Sequence, residues 1–304
     1  MGKIEKNKSA VMKDKSNLMK FAHKFLGESF AWSLRRFYVP VSKNDLVLEV
    51  GSGGNPYGRS NVLIDGYMET RERHWVPLVS DRPTVIGFVE NLPFKDNSFD
   101  FSIASHVLEH SKDPSKFLSE IQRVSKSGYI EVPDAFMERI NPYKDHRLEI
   151  TVREGTLMIT KKRDWVEDQH LVELYEDRVK DFLTKELMSS RPFAFHTRFY
   201  WTENIKFKIT NPEVSCDWPS FEDDSSVIPA RGIKAALREA ILLLFRKLTS
   251  QTSRNRKLDI QSLLQCPRCR KSGLKKIEDK QVCDNCLASF KIIKDIPILT
   301  VDGE

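Results

Sequence analysis

The stretch LVLEVGSGGNPYGRSNVLID, residues 46–65, limits most tightly what this chain can fold into. It is a continuous apolar run (46–50), a glycine-rich turn, and a second run (61–65) ending in an acid. Unbroken apolarity is expected of strands covered on both faces of a parallel sheet. Only ten residues separate Val50 from Asn61, too few for a normal crossover helix and its turns. The expected fold class is therefore α/β, a Rossmann-like doubly wound sheet whose first crossover helix is shortened to little more than a turn.

The chain downstream keeps that alternation. TVIGFV (84–89), FDFSIAS (99–105) and GYIEV (128–132) read as strands, and PSKFLSEIQRV (114–124) as an amphipathic helix. Beyond Pro133 the texture changes. Residues 146–162 read as a hairpin around Glu154–Gly155, 164–187 as a long polar helix, and 207–210 as a further strand. Residues 17–38 carry helical apolar spacing. The domain organisation expected is a basic helical segment (1–38), the sheet domain (39–215), a linker (216–258) containing a basic apolar helix (233–248) and a polar hinge (250–257), and a cysteine module (259–304).

In open α/β sheets ligands bind at the carboxyl ends of the strands. Gly51, Gly53 and Gly54 directly follow the first strand and allow close backbone approach to a ligand, and Asp65 ends the second, where a carboxylate can accept ribose hydroxyls. A dinucleotide dehydrogenase would need glycine at position 56, which is proline.

LEVGSGGNP, VENLPFKDNSFDFSIASHVLEH and EIQRVSKSGYIEVP together resemble the class I S-adenosylmethionine-dependent methyltransferases, specifically the branch with an LPF, FD and EH signature, over about residues 44–134. The resemblance implies S-adenosyl-L-methionine as cofactor. It places Glu49, Gly51, Ser52 and Gly53 beside the methionine part, Asp65 on the ribose, and Glu90, Asn91 and Leu92 near the adenine. Ser105 and His106 would sit under the methyl-bearing end, with His110 a helical turn further on. The family often has an acid at position 88; here Phe88 stands ready to stack instead. His106 and His110 are the catalytic candidates, as neutral imidazoles able to take a proton from an acceptor, with Asp134 and His146 behind them. An amino-methylating enzyme of nucleic acids would show NPPY after the fourth strand, where this chain has SHVLEH.

Cys266, Cys269, Cys283 and Cys286, as CPRC and CDNC, carry the spacing of two zinc knuckles. Four thiolates fill a tetrahedron, so the Zn2+ would be structural, and such a module needs its metal to fold. Its loss is expected to unfold the residues after about 260 and leave the sheet intact. Cys216 lies outside the pattern. The ribbon, with its IIKDIPIL ending, resembles the small zinc-ribbon activators of tRNA, rRNA and release-factor methyltransferases.

Paired knuckle cysteines suit a reducing compartment, and the first twenty residues have no apolar core of a secretory signal, so a cytoplasmic location is expected. Charge is segregated: nine basic against three acidic residues in 1–36, 24 against 32 in 37–230, and 16 against eight in 231–304. Basic ends could dock onto the acidic body or meet an anionic surface; 233–248 is expected to pack between the sheet domain and the cysteine module, with a peripheral membrane contact as the alternative. The expected activity is methyl transfer to an unidentified acceptor, with a glycan or envelope intermediate or a small molecule favoured. The alternatives are tRNA, rRNA or protein as acceptor, and a non-catalytic scaffold that activates a partner. Nucleic acid is not favoured, since the ribbon lacks aromatics interleaved with basic residues. The oligomeric state is left open.

Overall fold

The computed structural model describes residues 15–70, 73, 76–140, 142–164, 169–218, 243–244 and 246–301. Its centre is a six-stranded sheet in the order β3-β2-β1-β4-β5-β8. β1 (Val47–Val50), β2 (Val62–Asp65), β3 (Thr84–Ile86), β4 (Phe101–Ser105) and β5 (Ser127–Pro133) run parallel; β8 (His196–Thr202) closes the edge antiparallel to β5. Every residue of β1 and β2 is buried, the two-sided cover that their unbroken apolarity demands. The β1–β2 crossover contains turns and no helix, as its length requires.

Helix α3 (Pro114–Val124) follows β4. Asp113 caps it by accepting from the Lys116 amide, and Pro114 occupies the first turn, where a missing N–H costs nothing. Its buried Phe117, Leu118, Ile121 and Val124 share one face and pack on the sheet together with the edge-to-face pair Phe94 and Phe99. After β5 and the short α4 (Ala135–Ile140) comes a second, three-stranded sheet. There the hairpin β6 (Leu148–Arg153) and β7 (Thr156–Lys161) is joined in parallel by β9 (Phe207–Ile209). Helix α5 starts at Gln169–Leu174, and the chain stays helical, with wide π-type turns, to Met188. β8 is the element that strand patterns did not single out, although its inward and outward positions alternate along HTRFYWT.

The N-terminal segment forms α1 (Asn17–Phe25), α2 (Glu28–Ser33) and a 3-10 turn (Leu34–Phe37). It is fastened to the main sheet by Arg35, whose Nε donates to both carboxylate oxygens of buried Glu131 at 3.1 and 3.0 Å. Trp32 lies edge-on to Phe193 and 4.6 Å from the His196 ring.

The cysteine module is a four-stranded meander, β10 (Leu274–Ile277), β11 (Lys280–Cys283), β12 (Ser289–Ile293) and β13 (Ile296–Pro297). It is built onto the main sheet. Ile298 bridges Ile86 in parallel, and the Leu299 amide donates to the Ile86 carbonyl at 2.7 Å, so the chain past β13 covers the open edge of β3. The Gln265 amide donates to the Pro93 carbonyl, and Arg270 reaches Glu120 on α3 at 2.6 Å. Residues 250–257 are no hinge. Asn61 donates to Gln251 and Asn255 at 3.0 and 2.7 Å, and Arg254 donates to the backbone carbonyls of Lys43, Asn44 and Asp45. A polar, basic stretch reads as solvated in sequence, yet here its donors satisfy exposed carbonyls of the loop before β1. Most of the expected apolar helix 233–248 lies outside the described residues; Leu243 and Leu244, which are described, are exposed and helical. Among the described residues no helix is long and apolar enough to cross a membrane.

Candidate functional site

β1 and β4 are neighbours although β2 and β3 intervene in the chain, so the winding reverses between them. A cavity of about 390 Å³ opens there, at the carboxyl ends of the strands, where such sheets bind ligands. Gly51, Gly53, Asp65, Phe88, Glu90, His106 and His110 are among its lining residues. The turn after β1 is possible only for glycine: Gly51 has φ +61, and a Cβ there would stand 2.0 Å from Val107 Cγ2. Gly53, at φ +57, points its amide at Asp65 Oδ2 (2.9 Å). The other oxygen, Oδ1, accepts from Arg73 Nη1 at 2.7 Å. Phe88 lies edge-on to Tyr67, giving that end of the cavity an aromatic wall.

Not every expected residue faces the cavity. Glu49 is buried and turned away, accepting from the Tyr57 amide and the Ser60 hydroxyl; burial pushes its pKa up to about 7, and those bonds, with Arg36 and Arg82, only partly offset it. Ser52 is buried and its hydroxyl lacks a hydrogen-bond partner. Asn91 faces the ribbon, accepting from Arg270 at 2.9 Å, and Leu92 belongs to the core while its amide donates to Glu120. Ser105 donates to Glu131 at 3.3 Å. Asp134, a weaker candidate, is tied up accepting from Thr151 and Thr197 hydroxyls.

His106 sits at the end of β4 with φ +57, a left-handed conformation that a residue with a Cβ adopts only when its surroundings impose it. Its Nδ1 lies 3.4 Å from Glu109 and its Nε2 3.5 Å from Glu131. Burial alone would push this imidazole down, but the two carboxylates outweigh it and raise the pKa to about 9. His106 is thus charged at neutral pH in this arrangement, not the neutral base the sequence suggested. Glu131 is the hub: its fully buried carboxylate takes Arg35, Tyr129, Ser105 and His106 and has Arg198 at 3.6 Å, which together hold its pKa far below the carboxylate range despite burial. His196, on β8 and 5.4 Å from the His106 ring, is the neutral imidazole here, its pKa lowered by burial. Glu131, His196, Arg35 and Arg73 were not found by sequence reasoning. Only Glu131 carried a signal, as an acid inside an otherwise apolar central strand.

Cys266, Cys269, Cys283 and Cys286 converge, with Sγ–Sγ distances of 3.7 Å for Cys266–Cys286 and 3.6 Å for Cys269–Cys283. Zn–S bonds of about 2.3 Å in a tetrahedron give edges near 3.8 Å, so the four thiols fit zinc. A second group able to hold a metal, Glu109, His110 and His146, lies beside the cavity.

Sheet order, switch point and glycine turn define the class I methyltransferase fold. Residues 63–130 match the family described as methyltransferase domain, a domain that implies S-adenosylmethionine as its methyl source. An uncharacterized protein of Methanocaldococcus jannaschii is 32% identical over 81 residues, which are 27% of this chain and 40% of that protein. A demethylmenaquinone methyltransferase of Paenarthrobacter aurescens is 27% identical over 173 residues, 50% of this chain and 67% of that protein. The chain therefore spans two fifths to two thirds of the length of these curated relatives. Among solved structures, a complex between the Haloferax volcanii Trm112 methyltransferase activator and a methyltransferase is similar, with a TM-score of 0.37 and 17% identity over 62% of this chain and 94% of that one.

Proposed function

We propose that this protein is an S-adenosylmethionine-dependent methyltransferase that binds its cofactor across the carboxyl ends of β1, β2 and β3. Gly51 and Gly53 border the methionine part, with the buried Ser52 shaping the turn between them, Asp65 takes the ribose hydroxyls, and Phe88 and Glu90 flank the adenine. The reading rests chiefly on Asp65, held at the end of β2 with one oxygen fixed by the Gly53 amide and the other facing the cavity beside Arg73. A ribose would compete with Arg73 for that second oxygen. The cofactor, when bound, supplies an electrophilic methyl group on sulfur. The chain's part is to align the acceptor and shield the reacting centre. Glu49 acts by shaping the glycine turn, and Asn91 and Leu92 by holding the loop after β3, rather than by touching the cofactor.

The acceptor approaches from the His106 and His110 end. A small molecule or a glycan or envelope intermediate fits the reading better than tRNA, rRNA or protein, because the ribbon lacks aromatics interleaved with its basic residues. The ribbon serves as a built-in brace, supported by its cover of β3. A cytoplasmic location belongs to the same proposal, with 233–248 packed between the sheet domain and the ribbon; salt-sensitive flotation with anionic liposomes would favour the alternative, a peripheral membrane contact.

Calorimetry with S-adenosylmethionine and S-adenosylhomocysteine tests the assignment. Wild type should bind both, and Asp65→Ala should lose hydrogen bonds worth roughly 1.5–3 kcal/mol each. Wild-type protein that ignores both ligands, or an alanine variant that binds as tightly, overturns it.

A further inference from the structure

We propose that Glu109, His110 and His146 form a second metal site, for a divalent transition ion held beside the cavity that His110 lines. One ligand atom from each residue lies within 4.8 Å of the other two. The carboxylate is the decisive member. Glu109 is 2% exposed, and neither of its oxygens has a hydrogen-bond partner. Its ion-pair partner is His106, whose Nδ1 lies 3.4 Å from Oε1, and the His110 and His146 imidazoles lie beside it. A buried carboxylate normally gathers several donors, because an uncompensated one is costly. Glu131, a strand away, does so with five partners. Glu109 has one long ion pair, with His106, where two further imidazoles converge on it.

Those imidazoles are oriented from behind. His110 Nδ1 is 3.0 Å from the Asp145 carbonyl, which can only accept, so Nδ1 carries the proton and Nε2 the lone pair. His146 Nδ1 is 2.7 Å from Glu138 Oε2, with the same consequence. A carboxylate or carbonyl behind each ring is the arrangement that fixes metal-binding histidines. Glu138 is itself nearly fully buried and pairs with Lys162 as well as with His146. The Arg147 amide donates to the Glu109 carbonyl at 2.7 Å and locks the two segments together, while the Arg147 guanidinium is turned away to the carbonyls of Cys216 and Trp218. The rings of His110 and His146 meet edge to face at 4.7 Å.

Two imidazole nitrogens and one carboxylate oxygen suit Zn2+, Mn2+, Fe2+ or Co2+ rather than Ca2+ or Mg2+, which prefer all-oxygen shells. Three protein ligands leave positions open, the mark of a site that takes a substrate, and His110 lines the cavity. Resting on the methyltransferase reading, the ion would select acceptors that carry a hydroxyl. It would ease loss of the hydroxyl proton to solvent, so that the oxygen forms a C–O bond as the S–CH3 bond breaks and the sulfur leaves as a neutral thioether.

Co2+ is the probe, added to full-length protein whose ribbon is filled with zinc. Wild type should take up one Co2+ per chain, with visible ligand-field absorption and no thiolate charge-transfer band. Glu109→Gln, which keeps the side-chain shape, and His146→Ala should each weaken uptake about a hundredfold or more, and Glu138→Gln, behind His146, roughly 10–100-fold. No uptake beyond the zinc, a thiolate spectrum, or equal affinity in wild type and Glu109→Gln would overturn the site. Circular dichroism separates lost ligation from lost fold, and Glu109→Gln carries the test if His146→Ala unfolds. Uptake needs no methyl transfer, so S-adenosylhomocysteine binding measured in parallel tells failure of this site from failure of the methyltransferase reading.

Discussion

The ribbon and the cluster beside the cavity each gather ligand-type side chains, but in opposite ways. The ribbon's four cysteines come from two turns within about twenty residues, and its closed thiol set leaves nothing for a substrate. The cluster beside the cavity draws Glu109 and His110 from the turn after β4 and His146 from the approach to β6, more than thirty residues on. Its set is incomplete and reaches a cavity through His110. The first arrangement stabilises a fold; the second can act on something that comes and goes. The difference is one of enclosure, and experiments can press on each side of it.

The largest effect should come from zinc removal. Structural zinc in small modules binds with on the order of 10 kcal/mol of free energy that is also folding free energy. The sequence suggested that chelation would leave the sheet intact. The structure argues otherwise, because the Leu299 amide and the Ile86–Ile298 bridge seal the β3 edge. Hydrogen exchange with and without a chelator should show β3 losing protection along with the ribbon strands. Unchanged protection of β3 would make the ribbon an independent appendage.

On the cavity side the buried charges should matter next. Glu131→Ala removes the acceptor for Arg35 and the counter-charge of Arg198, both largely buried. Breaking one side of such a cluster costs roughly 3–5 kcal/mol. Because Arg35 fastens the N-terminal helices, limited proteolysis should cut between residues 15 and 37 in the variant and spare the wild type. Equal resistance would show that the packing of Trp32 on Phe193 and His196 suffices.

This contrast also explains what the sequence disclosed. The buried parallel strands, the helix-free first crossover and the paired cysteines were legible because each is encoded within a short window: unbroken apolarity for β1 and β2, a ten-residue gap, two C-x-x-C pairs. Asp65, at a strand end, and Phe88, Glu90 and His106, singled out through the family resemblance, all line the cavity. The orientations of Glu49 and Asn91 were not legible, since partners eight to 179 residues away decide them. His146 was visible only as a weak candidate, because its significance depends on Glu138 behind it and Glu109 in front.

The smallest of these effects concerns Glu49, and it sharpens the contrast between carboxylates that are satisfied and one that is not. Glu49 has two donors, Tyr57 and Ser60, yet burial still raises its pKa to about 7. In the unfolded chain it titrates as an ordinary carboxyl, with a pKa of about 4.3. Between those two values the folded protein keeps a proton that the unfolded chain has released, so stability falls as pH rises through the window and levels off above it. Glu49→Gln keeps an acceptor for both donors and cannot ionise. Relative to the variant, wild type should therefore lose roughly 2–3 kcal/mol of stability between pH 5 and pH 8, from about 1.36 kcal/mol per pKa unit. Denaturant midpoints of the two proteins at both pH values give the difference directly, with the remaining titrating groups cancelling. Parallel pH profiles would mean that the hydrogen bonds at Glu49, together with Arg36 and Arg82, match the cost of burying its charge.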